Sequence, residues 1–189
     1  MQLILVRHGE TEWNALGRFV GSTDLPLTPR GEQEATNLHP RLVQLLAKSD
    51  FRVFTSPLLR AQQTAALALP QAKCAISSHL REFDYGEFEG VSSEMVKRER
   101  PGWDIWRDGC PKGERLSDVA TRAAMFLAEL ASDDTTVVFS HGYLLRVLTA
   151  VALKLSPEFG RPLLLDTGSI SVVAQVRGRR AITLWNARD

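Results

Sequence analysis

Two histidines, each followed by glycine and each at the end of an apolar run, are the residues of this chain best suited to chemistry. Arg7-His8-Gly9 closes Leu3-Ile4-Leu5-Val6, and His141-Gly142 closes Val137-Val138-Phe139-Ser140. A third apolar run, Phe51-Arg52-Val53-Phe54, leads through Thr55-Ser56-Pro57-Leu58-Leu59 to Arg60. Open α/β sheets bind ligands at the carboxyl ends of their strands. If the three runs lie side by side and parallel, His8, His141 and Arg60 converge on one crevice. Arg7 beside His8, with glycine allowing close backbone approach, suits an anion that must be held and attacked at once. A phosphate ester fits that requirement.

These residues need a frame, and the rest of the chain supplies one. Thr28-Pro29 has the form of an N-cap followed by proline at the first helical position, and Ala35, Leu38, Leu42, Leu45 and Leu46 follow at helical spacing. Ser56-Pro57 repeats that start signal for a helix carrying Arg60, Ala61, Thr64, Ala65 and Leu69. Residues 74–77 form a candidate strand leading to Leu80-Arg81-Glu82. Helix is expected again over Leu116–Leu130, and after His141 through Leu144, Leu145, Leu148 and Val151. Ile170–Val176 and Ala181–Trp185, separated by Arg177-Gly178-Arg179-Arg180, read as a hairpin. The βαβα alternation predicts an α/β fold: a mostly parallel central sheet with helices on both faces. Residues 84–114, rich in Gly, Pro, Trp and charge, break that rhythm. They are expected to form a small cap insertion over the strand ends, within a single domain spanning residues 1–189.

Bulk properties exclude several classes. A formal net charge of +1 over 189 residues leaves no nucleic-acid or membrane footprint. The opening Met-Gln-Leu-Ile-Leu-Val-Arg-His has no long apolar segment, so the chain reads as cytoplasmic. Cys74 and Cys110 have no metal-ligand spacing and are expected as reduced thiols. The histidines also lack zinc spacing, two arginines beside them would repel a cation, and there is no Walker-type glycine loop. Neither a metal nor a cofactor is expected. The partner is a small-molecule phosphate ester, and the sequence leaves the oligomeric state open. His39 and His79 read as surface residues.

Four segments, in order, resemble the signatures of the histidine phosphatase superfamily: Arg7-His8-Gly9-Glu10-Thr11, Ser56-Pro57-Leu58-Leu59-Arg60-Ala61, Leu80-Arg81-Glu82 and Ser140-His141-Gly142. That superfamily includes cofactor-dependent phosphoglycerate mutases and many phosphomonoesterases. The likeness runs from Leu3 to about Trp185 and implies a phosphoglycerate mutase-like fold. It implies that His8 is the nucleophile and forms a transient phosphohistidine, for which the ring must be unprotonated. Arg7 and Arg60 favour the neutral ring and grip phosphoryl oxygens, while His141 supplies a further donor. Glu82 is implied to be the proton donor. It opens a stretch, Glu82 to Glu89, with four carboxylates within eight residues, of which Asp84 is the next candidate. Asn14, Thr11, Tyr85, Gly142 and the backbone at Gly21 are implied to touch substrate. The chain departs from many members at Val20, where they carry Ser or Thr.

A mutase excludes water and returns the phosphoryl group to a sugar acid, whereas a phosphatase admits water. Family mutases carry a longer insertion and a C-terminal tail over the site. This chain runs out at Trp185-Asn186-Ala187-Arg188-Asp189, so hydrolysis of small phosphorylated metabolites such as sugar phosphates is expected, with phosphoglycerate mutase as the alternative. Asp84–Gly90 and Trp103–Glu114 resemble a subgroup containing sedoheptulose bisphosphatases and broad-specificity acid phosphatases. A sugar bisphosphatase acting on sedoheptulose or fructose bisphosphate needs a second cationic site, for which Lys97, Arg98, Arg100, Arg107, Lys112 and Arg115 are candidates. A non-catalytic phosphate-binding module is a further alternative. The presence of His8, Arg7, Arg60, Glu82 and His141 together weighs against it.

Overall fold

Successive residues of the first strand serve opposite cores. A computed structural model describes residues 2–47, 50–130 and 135–188. In it, β1 (Gln2–Arg7) directs Leu3 and Leu5 to one apolar cluster and Ile4 and Val6 to another. This is the period of two expected of a strand buried on both faces. Helices α2 (Pro29–Leu46) and α3 (Leu59–Ala68) cover the Ile4/Val6 face through Leu38, Leu42, Ala65 and Ala68. Helices α6 (Leu116–Ala128) and α7 (Gly142–Ala152) cover the other through Val119, Phe126, Leu144 and Leu148.

The remaining strands are β2 (Phe51–Thr55), β3 (Cys74–Ile76), β4 (Thr135–Ser140), β5 (Ile170–Val176) and β6 (Arg179–Ala187), in sheet order β3-β2-β4-β1-β5-β6. Pairings β1–β4, β2–β4 and β2–β3 are parallel, while β5 runs antiparallel to both β1 and β6. The sheet is therefore the expected mostly parallel one. Its register decides the chemistry: Arg7 lies opposite Ser140, and Thr55 opposite Phe139. His8 and His141 leave adjacent strands at the same height. His8 N continues the ladder by donating to Ser140 O at 3.0 Å.

Local differences from the sequence reading have simple causes. The β5–β6 turn is only Arg177-Gly178, both at positive φ (49° and 78°), so Arg179 and Arg180 belong to the strand. Two such residues match the right-handed twist of a hairpin. Helix α3 begins at Leu59 rather than beside Ser56-Pro57; the Ser56 hydroxyl accepts Leu58 N at 3.3 Å and lies 2.8 Å from His141 Nε2. Helix α6 stops at Ala128, before Leu130.

Residues 84–114 leave the α/β alternation as a closed excursion. Its neck is tied by Glu114 N to Asp84 O and by Asp84 N to Glu114 Oε2, both 2.9 Å. It holds the short helices α4 (Ser93–Glu99) and α5 (Ile105–Asp108), and Phe88, Val96 and Trp106 join the α6/α7 core.

The loop that carries His8 out of the sheet is seated against α2 without side chains. A Cβ on Gly9 would lie 2.2 Å from Gly31 O, and one on Gly31 would lie 2.1 Å from Glu10 O. Backbone cannot yield there as a flexible side chain would. Gly31→Ala is therefore expected to cost about 1–3 kcal/mol, as overpacking does. Urea denaturation would show a lowered midpoint with unchanged slope; an unmoved midpoint would show that the contact is loose.

Candidate active site

At the end of β1 the Arg7 guanidinium turns toward the loop before β5, where Nη1 donates to Leu165 O at 2.5 Å. Its Nε is buried and has no hydrogen-bond partner among the described residues. Gly142 lies against it, a Cβ there falling 3.4 Å from Arg7 Nε, in van der Waals contact. A buried donor at a cavity wall with no protein acceptor is suited to an oxyanion.

The two imidazoles meet next to it, with ring centroids 5.1 Å apart and planes inclined by 61°. Their partners assign opposite tautomers. His8 Nδ1 lies 2.7 Å from Gly9 O. A carbonyl only accepts, so Nδ1 carries the hydrogen and Nε2 the lone pair. His141 Nδ1 instead receives Arg60 Nε at 3.2 Å. A guanidinium only donates, so the His141 hydrogen sits on Nε2 and points to Ser56 Oγ at 2.8 Å. Both rings are held well below the ordinary value of 6.5, first by burial. The charges of Arg60 and Arg7 lower His8 further, and those of Arg60, then of His8, lower His141.

Arg60 is fully buried on the first turn of α3. Its fork does not open to the cavity. Nη1 donates to Thr23 O (3.0 Å), and Nη2 to Val20 O (3.1 Å) and Gly21 O (2.8 Å). Behind it, Thr64 Oγ1 donates to Arg60 O and accepts Gly9 N at 3.1 Å, tying α3 to the His8 loop.

The four clustered carboxylates separate to different tasks. Glu82 takes Tyr143 N (3.2 Å) and Leu144 N (3.0 Å) from the first turn of α7, where a helix terminus leaves amides free. Asp84 accepts from Gly86 N, Glu87 pairs with Lys112, and Glu89 accepts from Gly21 N and Thr23 N. Arg122 fixes the chain at Glu82 by donating to the carbonyls of His79 (2.9 Å), Arg81 (2.6 Å) and Glu82 (2.9 Å) while paired with Glu114.

Arg7, His8, Asn14, Glu82, Tyr85 and Gly142 line one cavity of about 390 Å³. Arg60, His141 and Thr11 are fully buried outside its lining, and Gly21 lines a second cavity that shares Glu82. Thr11 is buried and donates to Asn14 Oδ1 at 2.8 Å, so it caps α1 (Glu12–Ala15) and orients Asn14. Four arginines that sequence reasoning missed share the lining: Arg18, Arg30, Arg146 and Arg188. Only Arg146 had a visible signal, one helical turn after Gly142. Its guanidinium stacks 4.6 Å from the Trp106 ring centroid and 4.9 Å from that of Tyr143. The cations expected from the 84–114 segment and from Arg115 do not line the cavity; Arg107 pairs with Asp108, Lys112 with Glu87, and Arg100 covers Phe88. Among the described residues no three His, Cys, Asp or Glu side chains gather as a metal site would require. The arrangement offers an anion a guanidinium donor, a neutral imidazole lone pair and a carboxyl group at one surface.

The sequence matches the model of the histidine phosphatase superfamily (branch 1) over residues 3–188. The chain belongs to the histidine phosphatase superfamily. It is 35% identical over 181 residues to the sedoheptulose 1,7-bisphosphatase of Saccharomyces cerevisiae, spanning 78% of this chain and 66% of that protein. It is 34% identical over 187 residues to an acid phosphatase of Mycobacterium tuberculosis, spanning 97% and 91%. The solved structure of a Mycobacterium tuberculosis open reading frame product superposes with a TM-score of 0.91 at 32% identity, over 99% of this chain and 97% of that one. This histidine phosphatase is accordingly a hydrolase of phosphate monoesters working through a phosphohistidine. No helix of the described residues is long and apolar enough to cross a membrane.

Since both rings are depressed, they stay neutral until the pH has fallen well below 6.5. In the unfolded chain each binds a proton near 6.5, so stability declines as pH drops below that value, by about 1.4 kcal/mol per unit for each histidine. Ring resonances of His8 and His141 in ¹⁵N-labelled protein are expected to stay constant from pH 8 to pH 6. A midpoint near 6.5 for either ring would contradict its environment.

Proposed function

We propose that this phosphatase hydrolyses small phosphorylated metabolites, sugar phosphates foremost, with His8 as nucleophile. The opposite tautomers of His8 and His141 carry the reading: one ring offers a lone pair at Nε2, its neighbour a hydrogen at Nε2. The phosphoryl group seats against the open Nε of Arg7 and the Gly142 amide, the first of α7, the next two being held by Glu82. His8 Nε2 attacks phosphorus, the bond to the leaving oxygen breaks, and Glu82 in its acid form gives that oxygen a proton. Charge growing on the phosphoryl oxygens is met by Arg7 and by His141 Nε2–H, turned from Ser56. Water then attacks phosphorus and gives its proton to Glu82, and the P–N bond breaks. Arg60 acts from behind the wall, holding His141 and adding positive potential.

Asn14 presents its amide to the phosphoryl group, with Thr11 acting through it. Gly142 keeps the wall thin, and Gly21 lets the neighbouring loop lie close. Residues 84–114 serve as a cap within one domain of residues 1–189, contributing Tyr85 to the cavity. A cytoplasmic setting is supported by the free thiols Cys74 and Cys110.

One observation favours sugar bisphosphates as a second reading. Within the cavity lining, Arg30 pairs with Glu10 and Glu34, and Arg188 with Glu34 and Asp166, whereas the exposed Arg18 has no acidic partner among the described residues. Arg18 would receive a second anionic group far from the reacting one. Comparing kcat/KM across sugar phosphates, sugar bisphosphates and phosphoglycerate decides between the readings. Values at least tenfold higher for bisphosphates would select the second, and isomerisation of phosphoglycerate without phosphate release would defeat both.

Rapid quenching with a ³²P-labelled aryl phosphate is expected to trap an acid-labile phosphoprotein that His8→Ala cannot form. Label retained by that variant would move the nucleophile elsewhere. Glu82→Gln is expected to slow alkyl phosphates at least 10²-fold and aryl phosphates far less, because only the alkoxide needs a strong acid. Equal losses on both would transfer the acid role to Asp84.

A further inference from the structure

The turn running from Val20 to Thr23 is gripped from two sides. On the inner side stands Arg60, donating to the carbonyls of Val20, Gly21 and Thr23. On the outer side stands the half-buried carboxylate of Glu89. It accepts Gly21 N at 3.0 Å (Oε1) and 3.1 Å (Oε2), and Thr23 N at 2.9 Å. The Val20–Gly21 peptide unit lies between opposite charges, its carbonyl on the guanidinium and its amide on the carboxylate. Such a chain is mutually polarising, each bond strengthening the next. No side chain fits at its centre: a Cβ on Gly21 would lie 2.7 Å from Glu89 Oε2 and 2.6 Å from Phe83 O.

We propose that Glu89 is a positioning residue for hydrolysis, acting through the Val20–Gly21 peptide and Thr23 to hold Arg60 with its Nε–H on His141 Nδ1. The guanidinium is planar and rigid, so Nε cannot keep its aim if the acceptors at Nη1 and Nη2 drift. Release of the turn frees three carbonyls to move together, and the 3.2 Å bond to His141 is lost with them. The His141 hydrogen is then free to migrate to Nδ1. A lone pair would replace the donor at Nε2, and a lone pair repels an oxyanion. Glu89 thus reaches the chemistry across two intermediaries, from a segment that contributes no other carboxylate to this turn among the described residues.

The inference uses the reading of His141 as phosphoryl donor, but its first readout needs no substrate. In ¹⁵N-histidine-labelled native protein, two-bond ¹⁵N–¹H ring correlations are expected to show His141 protonated at Nε2. Glu89→Ala is expected to shift that ring toward the Nδ1-protonated form and to lower kcat about 10- to 100-fold, with KM for an aryl phosphate changed less. Glu89→Gln keeps an acceptor oxygen for both Gly21 N and Thr23 N, so it is expected to retain the native tautomer and most of kcat. If Glu89→Ala does not fold, Glu89→Asp withdraws the carboxylate by one methylene and must move the tautomer in the same direction. An unchanged His141 spectrum in a folded, impaired variant would reduce Glu89 to an anchor of its own segment. A native His141 protonated at Nδ1 would overturn the proposal at its root. A native tautomer shifted by Glu89→Ala with kcat unaltered would preserve the positioning and remove only the donor role of His141.

Discussion

A guanidinium has hydrogens to give and no lone pair to receive with, and the active site depends on that asymmetry. Arg60 facing His141 Nδ1 forces the proton of that ring to the far nitrogen, while a backbone carbonyl facing His8 Nδ1 forces the reverse. Two identical side chains 5.1 Å apart thereby become an acceptor in the cavity lining and a donor in the layer behind it. A charged His8 could not accept, since an imidazolium has no lone pair, and a charged His141 could no longer receive the Arg60 Nε–H. Burial keeps both neutral, and Arg60, which dictates the tautomer of His141, also opposes protonation of both rings, joined by Arg7. At His141 the Arg60 contact thus bears on both the charge and the direction of the ring.

The fold supplies the precision this arrangement needs. Strand register, with Arg7 opposite Ser140, brings the two histidines to one height without any loop having to reach. Beyond the sheet edge the His8 loop rests on Gly31 by direct backbone contact, and Thr64 links it to the helix that carries Arg60. The first turn of α7 does two jobs. Its amides hold Glu82, and Gly142 packs against the Arg7 guanidinium.

Much of this could be read from the chain alone, and for identifiable reasons. Apolar runs ending in polar residues mark strand ends, and three such ends in a βαβα order place His8, His141 and Arg60 near one another before any coordinate is known. What stayed hidden depends on partners distant in sequence. Ser56 looked like a helix cap, but its hydroxyl faces a histidine 85 positions away. Arg60 looked open to ligand, but turn carbonyls 37 to 40 positions earlier occupy its fork. The acidic stretch from Glu82 to Glu89 looked like mutual crowding, yet its carboxylates diverge to a helix terminus, a turn, a lysine and a second loop. Basic residues of the 84–114 segment looked available and are engaged locally, whereas the arginines lining the cavity are scattered from Arg18 to Arg188 with no shared pattern. Charge in sequence shows capacity, and only packing shows where it is spent.

The arginines deep in this site hydrogen-bond to peptide oxygens, with the Nε of Arg7 left open. Leu165, Val20, Gly21, Thr23, Gly160 and Arg161 all offer carbonyls to Arg7, Arg60 or Arg146. A carbonyl satisfies hydrogen-bonding valence without cancelling a full unit of charge. The arginines of the lining, Arg7, Arg18, Arg30, Arg146 and Arg188, with Arg60 beside them, therefore outnumber its carboxylates Glu10, Glu82 and Asp166, in a molecule whose overall balance is only +1. The entrance is a local well of positive potential that focuses field lines outward, and anionic substrates would be drawn in faster than neutral diffusion allows. Dissolved salt shortens the reach of such a field, so the capture rate, rather than the chemical step, is where ionic strength would be felt.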